Sequence, residues 1–240
     1  MRYILNPIQV FLIIMFTGIC GLTGILLIMF TRKVDWVLTI IPATWHRFVF
    51  TLCRTKVEIY GEENLDKSGF YVYAANHQSS MDIAAVVRAV PVPLYFIVKK
   101  ELKKAPVLGW YITMTEMIFI DRKNRESAMR SMQEAAHLIK RGKNVIAFPE
   151  GTRSKNGELL VFRRGSFIIA KEGNIGIVPI AIIGTDEVNP SGTMQIHKGT
   201  VKVKIGTPIF PSNHPLKSAD ELASYTRSKV EAMQKELRLH

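Results

Sequence analysis

Apolar and polar residues divide the chain into two textures. Residues 3 to 31 carry no charged side chain, and Val10 to Phe30 is nearly continuous aliphatic and aromatic sequence. About 20 apolar helical residues cross a bilayer core, so this stretch predicts a membrane-inserted helix. The apolar run is longer than a signal-peptide h-region and no A-x-A-like site follows it. Gly18, Gly21 and Gly24 lower helical propensity and predict a bend or close packing against another helix. Trp36 to Cys53 is again mostly apolar, but it contains Pro42, His46 and Arg47. Trp36 and Trp45 suit a membrane interface, where an apolar ring and a polar N–H are both accommodated. Residues 1–54 therefore read as membrane-anchoring helices, either a hairpin or a single span plus an interfacial helix. The alternative is a pair of buried core helices.

From Val57 the pattern shortens. Val57 to Tyr60, Phe70 to Ala75, Leu94 to Val98, Met117 to Ile120 and Val145 to Phe148 are short apolar runs bounded by polar turns. Ile177 to Ile183 has no polar face, as expected of a strand covered on both sides. Its Pro179 cannot donate to a ladder and predicts a bulge or an edge position. Val201 to Ile205 alternates, and its lysines suit an exposed edge strand. Between these runs, Asn124 to Arg141 places Met129, Met132, Ala136 and Ile139 on one helical face, with Gly142 as the stop. Ser218 and Glu221 form a capping box for a last helix. Strands alternating with helices predict one α/β domain over residues 55–240.

Candidate chemistry gathers where strands end. Asn76-His77-Gln78-Ser79-Ser80-Met81-Asp82 follows a predicted strand and opens a predicted helix, with Ser79 or Ser80 as the natural N-cap. Asp82 in the first helical turn is placed to accept from one imidazole nitrogen of His77, leaving the other as a base. Taken alone, the pair fits better a histidine that caps or packs and an aspartate that favours the helix dipole. Phe148-Pro149-Glu150-Gly151-Thr152-Arg153-Ser154 follows another strand. Gly151 permits close backbone approach to an anion, Thr152 offers a hydroxyl and Arg153 a planar fork for phosphate. Lys99 and Arg122 also follow strands, and ligands of α/β folds gather at such ends.

Composition narrows the partners. The 240 residues carry a net charge of +12, which calls for an anionic partner. Up to residue 56 there are six basic residues against the single acid Asp35, a balance that favours anionic headgroups. Cys20 and Cys53 make no metal or redox spacing, so a reducing compartment is expected. There is no G-x-S-x-G elbow, P-loop or HExxH motif, which leaves a self-nucleophilic hydrolase, a nucleotide hydrolase and a zinc enzyme without support.

The segments NHQSSMD (76–82), VKKELKKAPVLGW with MIFIDR (98–122), FPEGTRS (148–154) and VPI (178–180), with the run Phe162-Arg163-Arg164-Gly165, resemble the ordered motifs of the 1-acylglycerol-3-phosphate acyltransferases. The resemblance covers roughly residues 57 to 183. It implies a glycerolipid acyltransferase-like α/β fold, with a mixed, mostly parallel sheet flanked by helices behind an N-terminal membrane-inserted segment. It implies transfer of a fatty acyl group to the sn-2 hydroxyl of lysophosphatidic acid, giving phosphatidic acid. By resemblance His77 is the general base and Asp82 its orienting carboxylate. Gly151, Thr152 and Arg153 bind the substrate phosphate, assisted by Arg122 and Lys99. Glu150 is expected to shape the loop and hold a basic neighbour, because a carboxylate facing phosphate would repel it. No metal and no bound cofactor are expected. The acyl donor is acyl-ACP or acyl-CoA, the other partner an anionic membrane surface, and nucleic acid is not a partner. The catalytic domain is expected on the cytoplasmic face of a membrane, the inner one if the source is bacterial. The nearest alternatives are acylation of glycerol 3-phosphate or another lysolipid, and a basic membrane-surface binding protein without turnover.

Overall fold

The computed structural model describes residues 2–121, 123–154 and 156–239, the side chains of residues 2–5 and 125 excepted. Two helices open the chain, α1 (Arg2–Thr31) and α2 (Val34–Leu52). The turn between them places Arg32 at φ 56°, in the left-handed region, so the helices run antiparallel. Phe16 stacks on Phe48, Trp45 Nε1 donates to Thr17 Oγ1 at 2.9 Å, and Gln9 donates to the Leu52 carbonyl at 2.9 Å. Pro42 does not interrupt α2; the helix runs through it, losing one main-chain donor. Of the two readings of the glycines, close packing is realised at Gly21 and Gly24, whereas a Cβ on Gly18 would meet nothing within 4 Å. A Cβ on Gly21 would lie 2.9 Å from Val107, and one on Gly24 2.5 Å from Tyr111. Both partners belong to the segment around α4 (Leu108–Met114).

The remaining chain builds a sheet of seven strands: β1 (Thr55–Tyr60), β2 (Val72–Ala75), β3 (Leu94–Lys99), β4 (Ile118–Ile120), β5 (Asn144–Ala147), β6 (Ile177–Ile183) and β7 (Gly199–Ile205). Their order is β1-β7-β6-β2-β5-β3-β4. The pairs from β6 through β4 are parallel, as is β1 with β7, and β6 with β7 is antiparallel. The mixed, mostly parallel sheet is as the sequence predicts. Two strand positions are not. β7 lies inside the sheet, and its lysines are spent on α8 (Ala219–Leu239): Lys204 pairs with Glu236, and Lys202 donates to the Leu237 carbonyl. β6 is central despite Pro179. That proline sits where β7 leaves the ladder, and Gly206 N donates to the Pro179 carbonyl at 2.8 Å, so the missing N–H falls where no ladder acceptor is needed.

Alternation along the strands separates two faces. Tyr73, Ile146, Val178, Ile180 and Ile182 pack with α3 (Met81–Ala89) and the end of α2. Val72, Ala74, Val145, Ile177 and Ala181 belong to the cluster of α5 (Arg125–Lys140), α6 (Gly165–Glu172) and α8. Caps hold two of these helices, and the one at Ser218 is as predicted. Asn124 Oδ1 accepts from Ser127 N at 3.0 Å. Ser218 Oγ accepts from Glu221 N while Glu221 Oε2 accepts from Lys217 N. Because five neighbouring strands are parallel, the turns after β2, β5, β3 and β4 open at one end of the sheet.

Candidate active site

β2 ends at Ala75, and Asn76 fastens the exit. Its buried amide accepts from Ile182 N at 2.7 Å and donates to Ile182 O at 2.9 Å. The next residue, His77, projects its ring toward α3. Asp82, fully buried in the first turn of α3, accepts at Oδ2 from His77 Nδ1 at 2.7 Å, Gln78 N at 2.7 Å and Ser79 N at 2.9 Å. The five-residue spacing thus closes a turn around one carboxylate. A carboxylate only accepts, so Nδ1 donates in this bond, and the neutral ring so held has its lone pair on Nε2. Ser80 sits at the N-cap without bonding the helix. Its hydroxyl donates to Asn189 Oδ1 at 2.6 Å, and of the two serines it is Ser79 whose Oγ accepts from Met81 N, at 3.2 Å, where α3 starts. The His77 ring stacks on Phe148, with centroids 4.2 Å apart and planes inclined by 20°.

Glu150 is 3% exposed, and among the described residues its carboxylate bonds only main chain: His77 N at 2.6 Å and Leu160 N at 2.9 Å. Sequence reasoning gave it a basic neighbour; the structure gives it two amides instead. A buried carboxylate needs hydrogen bonds to both oxygens, and strand ends supply free N–H groups. Burial pushes the Glu150 pKa up, and the two N–H bonds pull against that rise. Two more bonds tie the same loop to the histidine turn: Ser154 N donates to His77 O at 2.8 Å, and Gln78 Nε2 donates to Gly157 O at 2.9 Å. Thr152 and Arg153 lie exposed on the loop so fastened.

Gly151 adopts φ 73°, which favours glycine, and a Cβ there would lie 2.8 Å from Arg163 Nε. Arg163 is therefore a basic group at the site, although the sequence marked it only as part of a Phe-Arg-Arg-Gly run. Lys99 stands at the same end of the sheet but two strand spacings from β2, roughly 10 Å. It is exposed, with Nζ 3.7 Å from Glu101. Arg122 lies outside the described residues.

Beside Phe148 and Gly151 is a cavity of about 310 Å³, walled by Ile97, Ile120, Met129, Met132 and Ile168. Arg163 and Arg164 line it as well. Hydrocarbon walls with cationic groups suit an amphipathic anion. Among the described residues no cluster of His, Cys, Asp and Glu could hold a metal ion.

Known proteins place this geometry in a class. The Acyltransferase family matches residues 56–183, more than half of the chain, so the chain belongs to the acyltransferase family and is an O-acyltransferase. It is similar to the 1-acyl-sn-glycerol-3-phosphate acyltransferase of Saccharomyces cerevisiae, with 30% identity over 98% of this chain and 78% of that one. It is 36% identical to the chloroplastic enzyme LPAT1 of Arabidopsis thaliana over 73% of this chain, and spans only 48% of that protein. The crystal structure of the 1-acyl-sn-glycerophosphate (LPA) acyltransferase PlsC from Thermotoga maritima superposes with a TM-score of 0.85 at 29% identity, covering 100% of this chain and 99% of that one.

Proposed function

We propose that this enzyme transfers a fatty acyl group from an acyl thioester to the sn-2 hydroxyl of 1-acylglycerol 3-phosphate, giving phosphatidic acid. The names of its relatives support the acceptor. The observation that carries the mechanism is the 2.7 Å bond between His77 Nδ1 and the buried Asp82. His77 Nε2 takes the proton of the sn-2 hydroxyl as that oxygen attacks the thioester carbon. The tetrahedral intermediate then expels the thiolate, which takes the proton from the imidazolium, so base and leaving group are restored together. The neighbouring serines are engaged elsewhere: Ser79 Oγ donates to Asn189 O at 2.7 Å and Ser154 Oγ to Asn156 Oδ1 at 3.2 Å. The nucleophile is thus the substrate's own oxygen. General-base assistance supplies roughly 10²- to 10⁴-fold, and holding hydroxyl and thioester together supplies much of the rest. The loop of Gly151, Thr152 and Arg153, with Arg163 beside it, is the phosphate clamp. Lys99 and Arg122 extend it.

The apolar cavity favours a lysolipid over glycerol 3-phosphate, since the latter has no chain to bury. The donor is acyl-ACP or acyl-CoA. Purified full-length enzyme in detergent, supplied with lysophosphatidate and each donor in turn, should release free thiol only when both substrates are present. Thiol release without acceptor would mark a hydrolase, and equal rates with glycerol 3-phosphate would overturn the acceptor assignment.

We further propose that α1 and α2 lie within one leaflet, with the catalytic domain on the cytoplasmic side. Asn6–Thr31 is long and apolar enough to cross a membrane. A 30-residue helix is about 45 Å long, so a crossing helix carries one end far from a domain on one side. Here both ends are tethered. Gln9 bonds Leu52 just before β1, and Asp35, just past the turn, bonds Tyr95 Oη at 2.6 Å and pairs with Lys143. The outer surface of α1, including Phe11, Ile14, Met29 and Phe30, is exposed and apolar beside Trp110.

A further inference from the structure

Two adjoining cavities lie between α2, α3 and the start of β1, and neither shares a lining residue with the cavity beside Phe148. One, of about 270 Å³, is a slot with an apolar wall of Leu38, Pro42, Val87, Val92, Leu94 and Phe96 and a polar side that includes Thr39. The other, of about 490 Å³, is lined by Arg54, Lys56 and the hydroxyl residues Thr51 and Thr55. His46, Arg47 and Arg88 line both cavities and so stand at the join.

The cationic groups there are largely uncommitted. Lys56 pairs with Glu58 at 2.7 Å. Arg47, Arg54 and Arg88 are exposed and make no ion pair among the described residues. At their centre His46 is 6% exposed, and its Nδ1 is buried with no hydrogen-bond partner. Polar groups so buried are normally satisfied, and an orphan in a cleft calls for a reason. The acyl transfer uses none of these residues.

We infer that this cleft binds an anionic glycerophospholipid. The phosphodiester sits on Arg47, Arg88 and Arg54 with the His46 imidazole at its base, and one acyl chain enters the apolar slot. Arginine forks suit phosphate oxygens, and hydrocarbon burial suits the slot. A free phosphate would leave that slot without an occupant. The cleft opens along α2, packed on the apolar α1, so a bilayer lipid has a short route in. A lipid seated there braces α2 against α3, the helix whose first turn holds Asp82. The inference is independent of the reaction assigned to His77.

The test is native mass spectrometry of the full chain, released from detergent micelles doped with phosphatidylglycerol or with phosphatidylcholine. One phosphatidylglycerol should be retained per chain, about ten-fold more than phosphatidylcholine, a difference of about 1.4 kcal/mol. Arg47→Gln with Arg88→Gln, both at exposed positions, should abolish that preference. Ala43→Phe, which fills the slot without changing charge, should also release the lipid. Equal retention of both lipids, or retention unaffected by the arginine changes, overturns the proposal. Loss with the arginine changes but not with Ala43→Phe, together with displacement by millimolar inorganic phosphate, assigns the cleft to free phosphate and overturns the lipid reading.

Discussion

The main-chain N–H of His77 donates to Glu150 Oε1 over 2.6 Å, while the same residue's ring is held by Asp82 at 2.7 Å. His77 is therefore fixed at both its backbone and its imidazole, by two buried carboxylates from separate parts of the chain. Only one of them touches the ring.

Replacing Glu150 with Gln tests the backbone hold. An amide has one acceptor oxygen, so one of the two N–H groups now bonded loses its partner, at about 1–3 kcal/mol. Activity should fall at least several-fold with a lower Tm, although Glu150 is buried and bonds main chain. The pH dependence has a defined sign. Burial raises the Glu150 pKa in the folded state, so this group's contribution to stability is complete below its unfolded pKa. It is lost as pH climbs through the raised folded value. The Gln variant lacks that loss, and thermal melts across the mildly acidic range would read the difference. Parallel Tm profiles for the two proteins would refute the electrostatic part of this account.

His77→Ala should remove nearly all turnover, about 10²-fold or more, without disturbing the fold or lysophosphatidate binding. Asp82→Asn should be severely impaired too, because an amide can present N–H to Nδ1 and invert the tautomer. Initial rates and an acceptor-binding isotherm on purified variants separate chemistry from binding. A folded His77→Ala enzyme with a large residual rate would end the general-base assignment.

Arg153→Ala should lower the preference for lysophosphatidate over monoacylglycerol, which lacks the phosphate, by roughly 10-fold or more, the scale of one charge-assisted bond. Arg153→Lys keeps the charge and loses the bidentate fork, so it should still cost activity. Arg163→Ala should act in the same direction, given its position beside Gly151. Competition kinetics with the two acceptors decide it: unchanged preference in both alanine variants moves the phosphate site elsewhere.

Membrane placement is read by labelling. With Cys20 and Cys53 replaced, a cysteine at residue 2 should react with an impermeant thiol reagent from the side that bears the catalytic domain, in sealed vesicles of known orientation. Reaction only from the opposite side would show that α1 crosses the bilayer.

Local spacing settled much of this protein before any long-range contact was known. Five residues from His77 to Asp82 suffice to close one turn, because strand exit, turn and first helical turn are all short-range structures. The cap at Ser218, the apolar strands and the uncharged opening helix are legible for the same reason: each depends on residues three or four apart or on a simple period. Strand order is different, since pairing joins distant segments and no period encodes a neighbour. Hence β7 reads as an edge from its lysines yet lies inside, where α8 supplies Glu236 and a terminal carbonyl to receive them. Pro179 reads as a bulge or edge; the strand order excludes the edge, while beside Pro179 the partner chain takes four steps from Ile205 to Ile209 against three from Ile180 to Ile177, the extra residue of a bulge. Glu150 is unmistakable as a carboxylate, but its two amide partners lie 73 and 10 residues away, so only the folded chain could show that it holds the backbone of His77.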